Sequence, residues 1–584
     1  MEELIYGILS SKAKQKKVIL YIIAAFMLSV MMIPTKIVLA KMLPGKSANT
    51  FSIYVDTATD SSLKETKRVT NCVLSHLKKE NEVHDVEVYL AQGAPLDYAG
   101  LVKGSALKRL KNQAEIVVNL TDKHGRDEAS YMMVHRIRPI IKDQCQPLAN
   151  KTTINFIEMP SGPPTFATVV VEVFGKSSSL MRETAQHVAK TLKATEGLVD
   201  IDIMQDDIYP FFEITPDKEK VIRSGLSVEQ VNNILYLAFE GMVVAVKNSK
   251  TLQDQVPIFV RLDDKSRLIE PNNEDGLNLK LSRLKLLNKM GMKIPIKEVV
   301  SIKEIASSPT IFRKNLRNFV SVTAECDLVS QVYPLLDARD KLIEELSKEF
   351  EVSKVEGMST YMFDLNLIHK ETGEKMLLRW DGEMKVSLDT FRDLGGAFIA
   401  ALILMFLLMV MYYKSFALSG IILLASFLSI IGVIVGHFIT DIISLVFSGT
   451  NFFLTATSLI GFISLMGISA RSSLLLIDFS MALIAKGIEK KRAIAISTST
   501  RAKPILMTAV AIILGSLLLS TDPIFGGLGI ALIFGSIAST AVSLFLVPVM
   551  IVDTVAICPK GMDDERHECH GGIKKHVEPE DLGL

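Results

Sequence analysis

TATSLIGFISLMGISARSSLLLIDF, residues 455–479, opens an apolar run that continues to residue 484 and carries one permanent cation, Arg471. A guanidinium keeps its proton at working pH. In hydrocarbon it is costly unless a carboxylate or water faces it. The only acid in the run is Asp478, seven residues on, roughly 10 Å further along a helix. Arg471 therefore reads as half of an ion-coupling site whose acidic half lies elsewhere.

That run is one of six. Residues 18–40, 394–413, 417–437, 452–484, 504–519 and 527–552 are apolar and near the roughly 20 residues a helix needs to cross a bilayer. The fourth is over-long, so its ends are expected to protrude. Mean hydropathy is +0.31, and a soluble fold would have to bury five consecutive helices with hardly a polar face. Pro34 and Lys36 stand where a signal peptide would carry small residues, so the first span reads as an uncleaved anchor. Lys12, Lys14, Lys16 and Lys17 precede it, Lys414 follows the second span, and Lys486, Lys490, Lys491, Arg492, Arg501 and Lys503 follow the fourth. The short opposite loops carry only Asp441 and Asp522. Basic loops stay in the cytoplasm, which puts both termini inside and exports residues 41–393. The net charge of +1 gives no reason to expect a nucleic-acid partner.

The exported region alternates strand and helix periods. Strands are expected over 51–56, 83–90, 113–120 and 152–158, helices over 61–79 and 127–143, and a Gly-rich loop over 91–104. The order recurs in 168–174, 178–195 and 199–203, and again in 319–324, 330–350 and 352–355. Such spacing predicts split βαβ, ferredoxin-like sandwiches. The fold class is thus an α+β membrane protein, with six transmembrane helices and a sandwich-bearing insert between the first and second. The expected divisions are 1–17 (cytoplasmic), 18–40 (first span), 41–165 (first subdomain), 166–208 with 308–378 (second subdomain) and 209–307 (insertion). Then follow 379–393 (amphipathic approach helix), 394–553 (five spans) and 554–584 (a disordered cytoplasmic tail). Residues 158–164, EMPSGPP, read as a rigid linker.

No constellation for covalent catalysis is present: G-x-S-x-G, the P-loop and H-E-x-x-H are all missing. The chain does not read as an enzyme, and no cofactor is called for. Five cysteines make no disulfide framework. Cys72, Cys145 and Cys326 read as isolated core or surface thiols, with room for one bridge. Cys558, His567, Cys569, His570 and His576 fit no standard zinc spacing and read as part of a solvated tail. Met132, Met133, Met159, Met242, Met290 and Met292 show no convergent set for a soft metal and read as core or pocket residues.

Two motifs narrow the reading. Residues 467–479 give G-I-x-x-R-x-S-x-L-L-x-D-F, and residues 501–508 give RAKPILMT. Together with one span, a large insert and five more spans, they resemble the repeat unit of the resistance-nodulation-division transporters, proton-driven efflux permeases of Gram-negative bacteria. The resemblance runs from about residue 18 to 552. A full permease has two such repeats; this chain has one. In the family the fourth span of the N-terminal repeat carries adjacent aspartates, and the C-terminal repeat usually has a lysine facing them. Here the positions matching the aspartate pair are Arg471 and Ser472, which resembles a C-terminal repeat with lysine replaced by arginine. Thr508 matches a relay threonine, and Asp478 matches an acid near the cytoplasmic end of the span.

The resemblance implies a multi-pass protein of the bacterial inner membrane with a periplasmic porter region, exporting small amphiphilic compounds by proton antiport. It implies an aspartate-bearing N-terminal-type half as partner, with a periplasmic adaptor (membrane fusion) protein, an outer-membrane channel and a trimeric assembly. The insertion 209–307 resembles the part that docks toward that channel. Metal ions are an alternative substrate class. A non-transporting scaffold or remnant of the same fold, or a protein-export accessory, are the other readings. Each site residue also has a simpler reading: Arg471 as a fixed counterion, Asp478 as an interfacial contact, Thr508 as a side chain bonded to its own helix. Gly461, Gly467, Gly526, Gly527 and Gly529 read as close-packing positions.

Overall fold

The chain starts with two helices, α1 (Glu2–Leu9) and α2 (Lys12–Met31). The computed structural model describes residues 1–41, 47–92, 110–123, 125–159, 165, 167–252, 255–267, 269, 273–328, 330, 332–355, 363–448 and 451–554. Most of the expected Gly-rich loop, the 160–164 part of the proline linker and the Cys/His tail lie outside them. α1 buries Ile5 and Leu9 in the helical bundle, and Arg492 pairs with Glu2 and Glu3 at 2.8 and 3.1 Å. α2 stops at Met31, short of the residue 40 the hydropathy suggested. The chain then turns around Pro34, with the N–H groups of Ile37 and Val38 both donating to the Met32 carbonyl at 3.0 Å. Proline cannot supply the N–H that would carry the helix on.

The first sheet follows from alternating apolar residues. β1 (Thr50–Asp56), α3 (Leu63–Leu77), β2 (Val83–Leu90), β3 (Gln113–Leu120), α4 (Ser130–Cys145) and β4 (Thr153–Glu158) come in chain order. The strands pair antiparallel in the order β2-β3-β1-β4. Ile53, Val55, Ile116, Val118, Ile154 and Phe156 form a buried layer with Val69 and Val73 of α3 and Val134 and Ile141 of α4. Ser62 and Glu65 make a reciprocal cap at the start of α3. Because α3 and α4 lie side by side, Cys72 and Cys145 approach to 5.7 Å between Cα atoms and form a disulfide. The reading of both as isolated thiols is corrected; Cys326 is free.

The second sheet begins with β5 (Val169–Phe174), α5 (Ser178–Lys193) and β6 (Leu198–Ile203). A separate compact unit, residues 206–310, interrupts it. That unit contains β7 (Pro210–Pro216), α6 (Lys218–Arg223), α7 (Val228–Leu235), β8 (Met242–Lys247), β9 (Val256–Val260), α8 (Glu274–Arg283), β10 (Lys285–Leu287), β11 (Lys293–Pro295) and β12 (Val300–Ala306). β7 and β12 pair and cover a core of Val221, Leu226, Val231, Leu277, Leu281, Ile296 and Val299. β8 and β9 form an isolated hairpin with Val243, Val244, Val246 and Phe259 at least 50% exposed.

The sheet resumes with β13 (Phe312–Lys314), β14 (Arg317–Cys326), α9 (Val332–Leu346), β15 (Phe350–Lys354), β16 (Leu365–His369) and β17 (Lys375–Asp381). Its order is β13-β14-β5-β17-β16-β15, with β6 also paired to β14. Residues 379–381 belong to β17, so the expected approach helix begins later. Trp380 is 1% exposed and sits in the sheet core against Phe363. Its burial opposes β17 to β5, and the surface helix expected at this tryptophan is corrected. Between the two sheets, Arg138 of α4 donates to Asp200 of β6 at 3.0 Å and to Asp327 at 2.6 Å. Lys142 and the Phe156 N–H also bond Asp200, whose side chain is fully buried.

The bundle is built from α10 (Glu383–Tyr413), α11 (Phe416–Phe427), α12 (Ile430–Ser448), α13 (Ala456–Ala485), α14 (Lys490–Ser520), α15 (Gly526–Ala541) and, after a wide π turn, α16 (Val547–Val552). Among the described residues, five stretches are long and apolar enough to cross a membrane: Glu383–Tyr413, Phe416–Phe447, Ala456–Ala485, Lys490–Ser520 and Gly526–Val552. Gly382 joins β17 to α10 at φ +79, where a Cβ would lie 2.7 Å from the Ala167 carbonyl oxygen. There Lys314 bridges Glu172, at 2.7 Å, and Asp381. Burial pushes the Glu172 carboxyl above the usual carboxylate range.

Closing a loop of 73 residues stabilises the first sheet by about 4 kcal/mol on loop-entropy grounds. Cys72→Ser with Cys145→Ser is expected to raise hydrogen exchange across β1, β3 and β4 while β5 and β17 stay protected. Equal deprotection of both sheets would contradict this assignment.

Candidate functional site

α13 presents a stripe to the outside of the bundle. Ile460, Ser464, Gly467, Arg471 and Leu475 are exposed at helical spacing, while Leu465, Met466, Ser469, Ala470 and Leu476 face inward. Arg471 thus stands on an open face, and among the described residues no carboxylate lies within ion-pair distance of it. A Cβ at Gly467 would meet nothing within 4 Å, so this glycine is not a packing position in the chain, contrary to the sequence reading.

Among the described residues, none of the other three expected residues is hydrogen-bonded to Arg471. Ser472 donates to the Ile468 carbonyl of its own helix at 3.3 Å. Thr508, on the exposed side of α14, donates to the Ile505 carbonyl at 2.8 Å, the simpler of its two readings. Asp478 accepts from the Tyr413 hydroxyl at 2.8 Å and from Tyr412 at 3.5 Å, which ties the C-terminal part of α13 to the end of α10. Arg501, the first residue of the RAKPILMT motif, lays its guanidinium over the Phe479 ring at 4.7 Å.

A second polar group, missed in the sequence, lies at the opposite end of α13. His437 of α12 is fully buried. Its Nδ1 is 2.8 Å from the Val433 carbonyl oxygen and must carry the proton, because a carbonyl only accepts. Nε2 is then left to accept from the Ser458 hydroxyl at 2.8 Å. Ser458 in turn accepts from the Thr455 N–H at 3.1 Å, and Thr457 donates to the Ile524 carbonyl at 3.1 Å. Asp441, one turn beyond His437, accepts from the Phe452 N–H at 2.6 Å. A lone histidine in an apolar span together with the hydroxyls of TATS was the available signal. These bonds fasten α12, α13 and the turn before α15.

α15 closes this end. A Cβ at Gly527 would lie 2.4 Å from both Ser458 Oγ and Thr455 Oγ1, and one at Gly461 would lie 2.8 Å from Ala531 Cβ. The arrangement is that of a bundle of apolar helices with a β-rich insert and, on one open helix face, a cation with no carboxylate partner among the described residues.

Residues 2–553 match the AcrB/AcrD/AcrF family. The chain belongs to this family of resistance-nodulation-division permeases, multi-pass proteins of the inner membrane. It is similar to the swarming motility protein SwrC of Bacillus subtilis, 25% identical over 386 residues, which are 65% of this chain and 32% of that protein. The cobalt-zinc-cadmium resistance protein CzcA of Cupriavidus metallidurans is 22% identical over 408 residues, 68% of this chain and 34% of its own. The nickel and cobalt resistance protein CnrA of the same organism is 23% identical over 394 residues, 65% and 32%. A solved heavy metal efflux pump superposes with a TM-score of 0.68 at 18% identity, over 94% of this chain and 52% of that one. The chain thus aligns with about a third of the curated relatives' length and half of the solved pump's.

The two glycines of α13 separate packing from exposure. Gly461→Leu is expected to drive Ala531 off α13 and to lower the melting temperature of the detergent-solubilised chain. Gly467→Ala should raise it slightly, since alanine gains roughly 0.5–1 kcal/mol over glycine in a helix. A large loss of stability in Gly467→Ala would show that the face is not open.

Proposed function

We propose that this chain is a half-size or C-terminal-half permease subunit of a proton-driven efflux pump, working with an aspartate-bearing half. The observation that carries the reading is Arg471 on the open stripe of α13, a cation without a counter-charge among the described residues. The fold this chain shares with about half of a solved pump is that of one repeat of such an architecture. In this reading the partner's carboxylates attract Arg471 when ionised and release it when protonated, and the helices shift between the two pairings. A membrane potential supplies roughly 2.3 kcal/mol per charge per 100 mV, and the pH gradient adds to it. Arginine cannot itself release the proton, so the partner holds it.

The sheets, each with two helices inserted between strands, act in this reading as ferredoxin-like porter subdomains in the periplasm, with both termini cytoplasmic. α2 would be the sixth span, its lysines held at the cytoplasmic side. The unit of residues 206–310 would dock toward an outer-membrane channel, assisted by a periplasmic adaptor protein. Its isolated hairpin, β8–β9, is too small to be stable as an exposed apolar ribbon, which supports burial against a neighbouring chain in a trimeric assembly. Asp478, Ser472 and Thr508 would serve the relay only once the partner is seated. The substrates would be small amphiphilic compounds. The names of CzcA and CnrA favour metal ions as the second substrate class.

Gentle solubilisation from native membranes, followed by mass spectrometry, is expected to recover a second membrane chain with paired aspartates in its fourth span. Reconstituted with that chain, Arg471→Ala should reduce proton-coupled efflux at least a hundredfold while leaving the complex assembled. Proton-coupled efflux by the purified single chain would refute the half-transporter reading. Parallel assays with an amphiphilic dye and with Zn²⁺ would distinguish the substrate classes.

A further inference from the structure

Away from the membrane helices, α5 and the turn after α9 bring together a mixed nitrogen and oxygen cluster. Glu183 and His187 lie four residues apart on one face of α5, and Glu349 faces them from the turn between α9 and β15. One donor atom from each of the three lies within 4.8 Å of the other two. The supports are rigid. α5 is held to the sheet by Met181, Thr184, Ala185 and Val188, all buried beside the cluster residues. Glu349 is fixed by its N–H to the Leu346 carbonyl, by the Lys370 N–H donating to its own carbonyl, and by Phe350 in the core at 1% exposure.

The histidine is presented as a metal-binding imidazole would be. His187 Nε2 stands 3.8 Å from a Glu349 oxygen, beyond hydrogen-bond range. Two donors on one tetrahedral ion with bonds of about 2.0–2.1 Å lie roughly 3.3 Å apart. On the other side of the ring, Nδ1 faces a Glu345 oxygen at 3.6 Å. That too is beyond hydrogen-bond range; a small approach of Glu345 would let it orient the ligating imidazole and fix its tautomer. Lys348 holds the second Glu345 oxygen, which keeps Glu345 as the support and not a ligand. Because Glu183 and Glu349 are exposed, their side chains can close the remaining distance at little cost.

We propose that Glu183, His187 and Glu349 form a divalent-metal site with one imidazole and two carboxylates, oriented by Glu345. This donor set suits Zn²⁺, Co²⁺ or Ni²⁺ rather than Ca²⁺, which takes oxygen donors alone. Three protein ligands leave a position for water. The site stands independently of the transport reading and needs no partner half.

The test uses the full detergent-solubilised chain, with Cys558 and Cys569 changed to Ser and His567, His570 and His576 to Ala, so that the tail contributes no background. Zn²⁺ titration calorimetry is expected to lose one equivalent in His187→Gln. Glu183→Gln and Glu349→Gln should each weaken that equivalent at least tenfold. Glu345→Gln should weaken it less, as befits a positioning residue. His84→Gln, at an exposed histidine of the first sheet, is the control and should match the parent. Circular dichroism melting identifies any variant that fails to fold, and Co²⁺ absorption gives a readout of the imidazole ligand. Unchanged stoichiometry and affinity in folded His187→Gln would overturn the proposal, as would displacement of Zn²⁺ by equimolar Ca²⁺.

Discussion

The close approach of α15 to its neighbours is the constraint on which the helical half depends. Lipid tails are as apolar as leucine, so helices in a bilayer gain little from hydrophobic burial and associate by packing and interhelical bonds. Here the packing is set by glycines on both sides. A Cβ at Gly432 would lie 2.2 Å from the Phe534 carbonyl oxygen, and one at Gly535 would lie 2.2 Å from Leu465 Cδ2. At such separations α12 and α13 are held against α15 by backbone contact, and the His437–Ser458 bond adds direction to what dispersion alone would leave free to slide. α10, by contrast, buries almost none of its apolar stretch.

Much of this was legible because strands and helices announce themselves by period. The four strands of the first sheet fall within a residue of the alternating segments, as in residues 113–120. The helices of both sheets follow from amphipathic spacing and caps such as Ser62 with Glu65. What failed to show was what depends on three-dimensional neighbours. Cys72 and Cys145 are 73 residues apart, and only the docking of α3 on α4 makes them partners. Trp380 beside Asp381, Gly382 and Glu383 read as a surface approach, whereas its indole fills the sheet core and turns the segment into a strand. α2 ended early because one proline outweighed the hydropathy of the residues around it.

The expected site residues illustrate the same division. The sequence could identify Arg471 as an anomaly, since an apolar window makes any charge conspicuous. It could not say which face of α13 carried it. That face is open, while Asp478 is engaged by two tyrosines and Thr508 and Ser472 by their own helices. The network about His437 is built from residue types common in helices, and its meaning came only from the approach of α12, α13 and the turn before α15.

The junction at Gly382 has a mechanical consequence. β17 is an interior strand, flanked by β5 and β16, and it passes into α10 through a single residue whose conformation and crowding admit no side chain. Lys314 clamps the end of that strand through Asp381 to Glu172 on β5. There is no slack tether here to absorb a tilt of the helix. A tilt of α10 would therefore act on β17 and the strands beside it with little slack to absorb it.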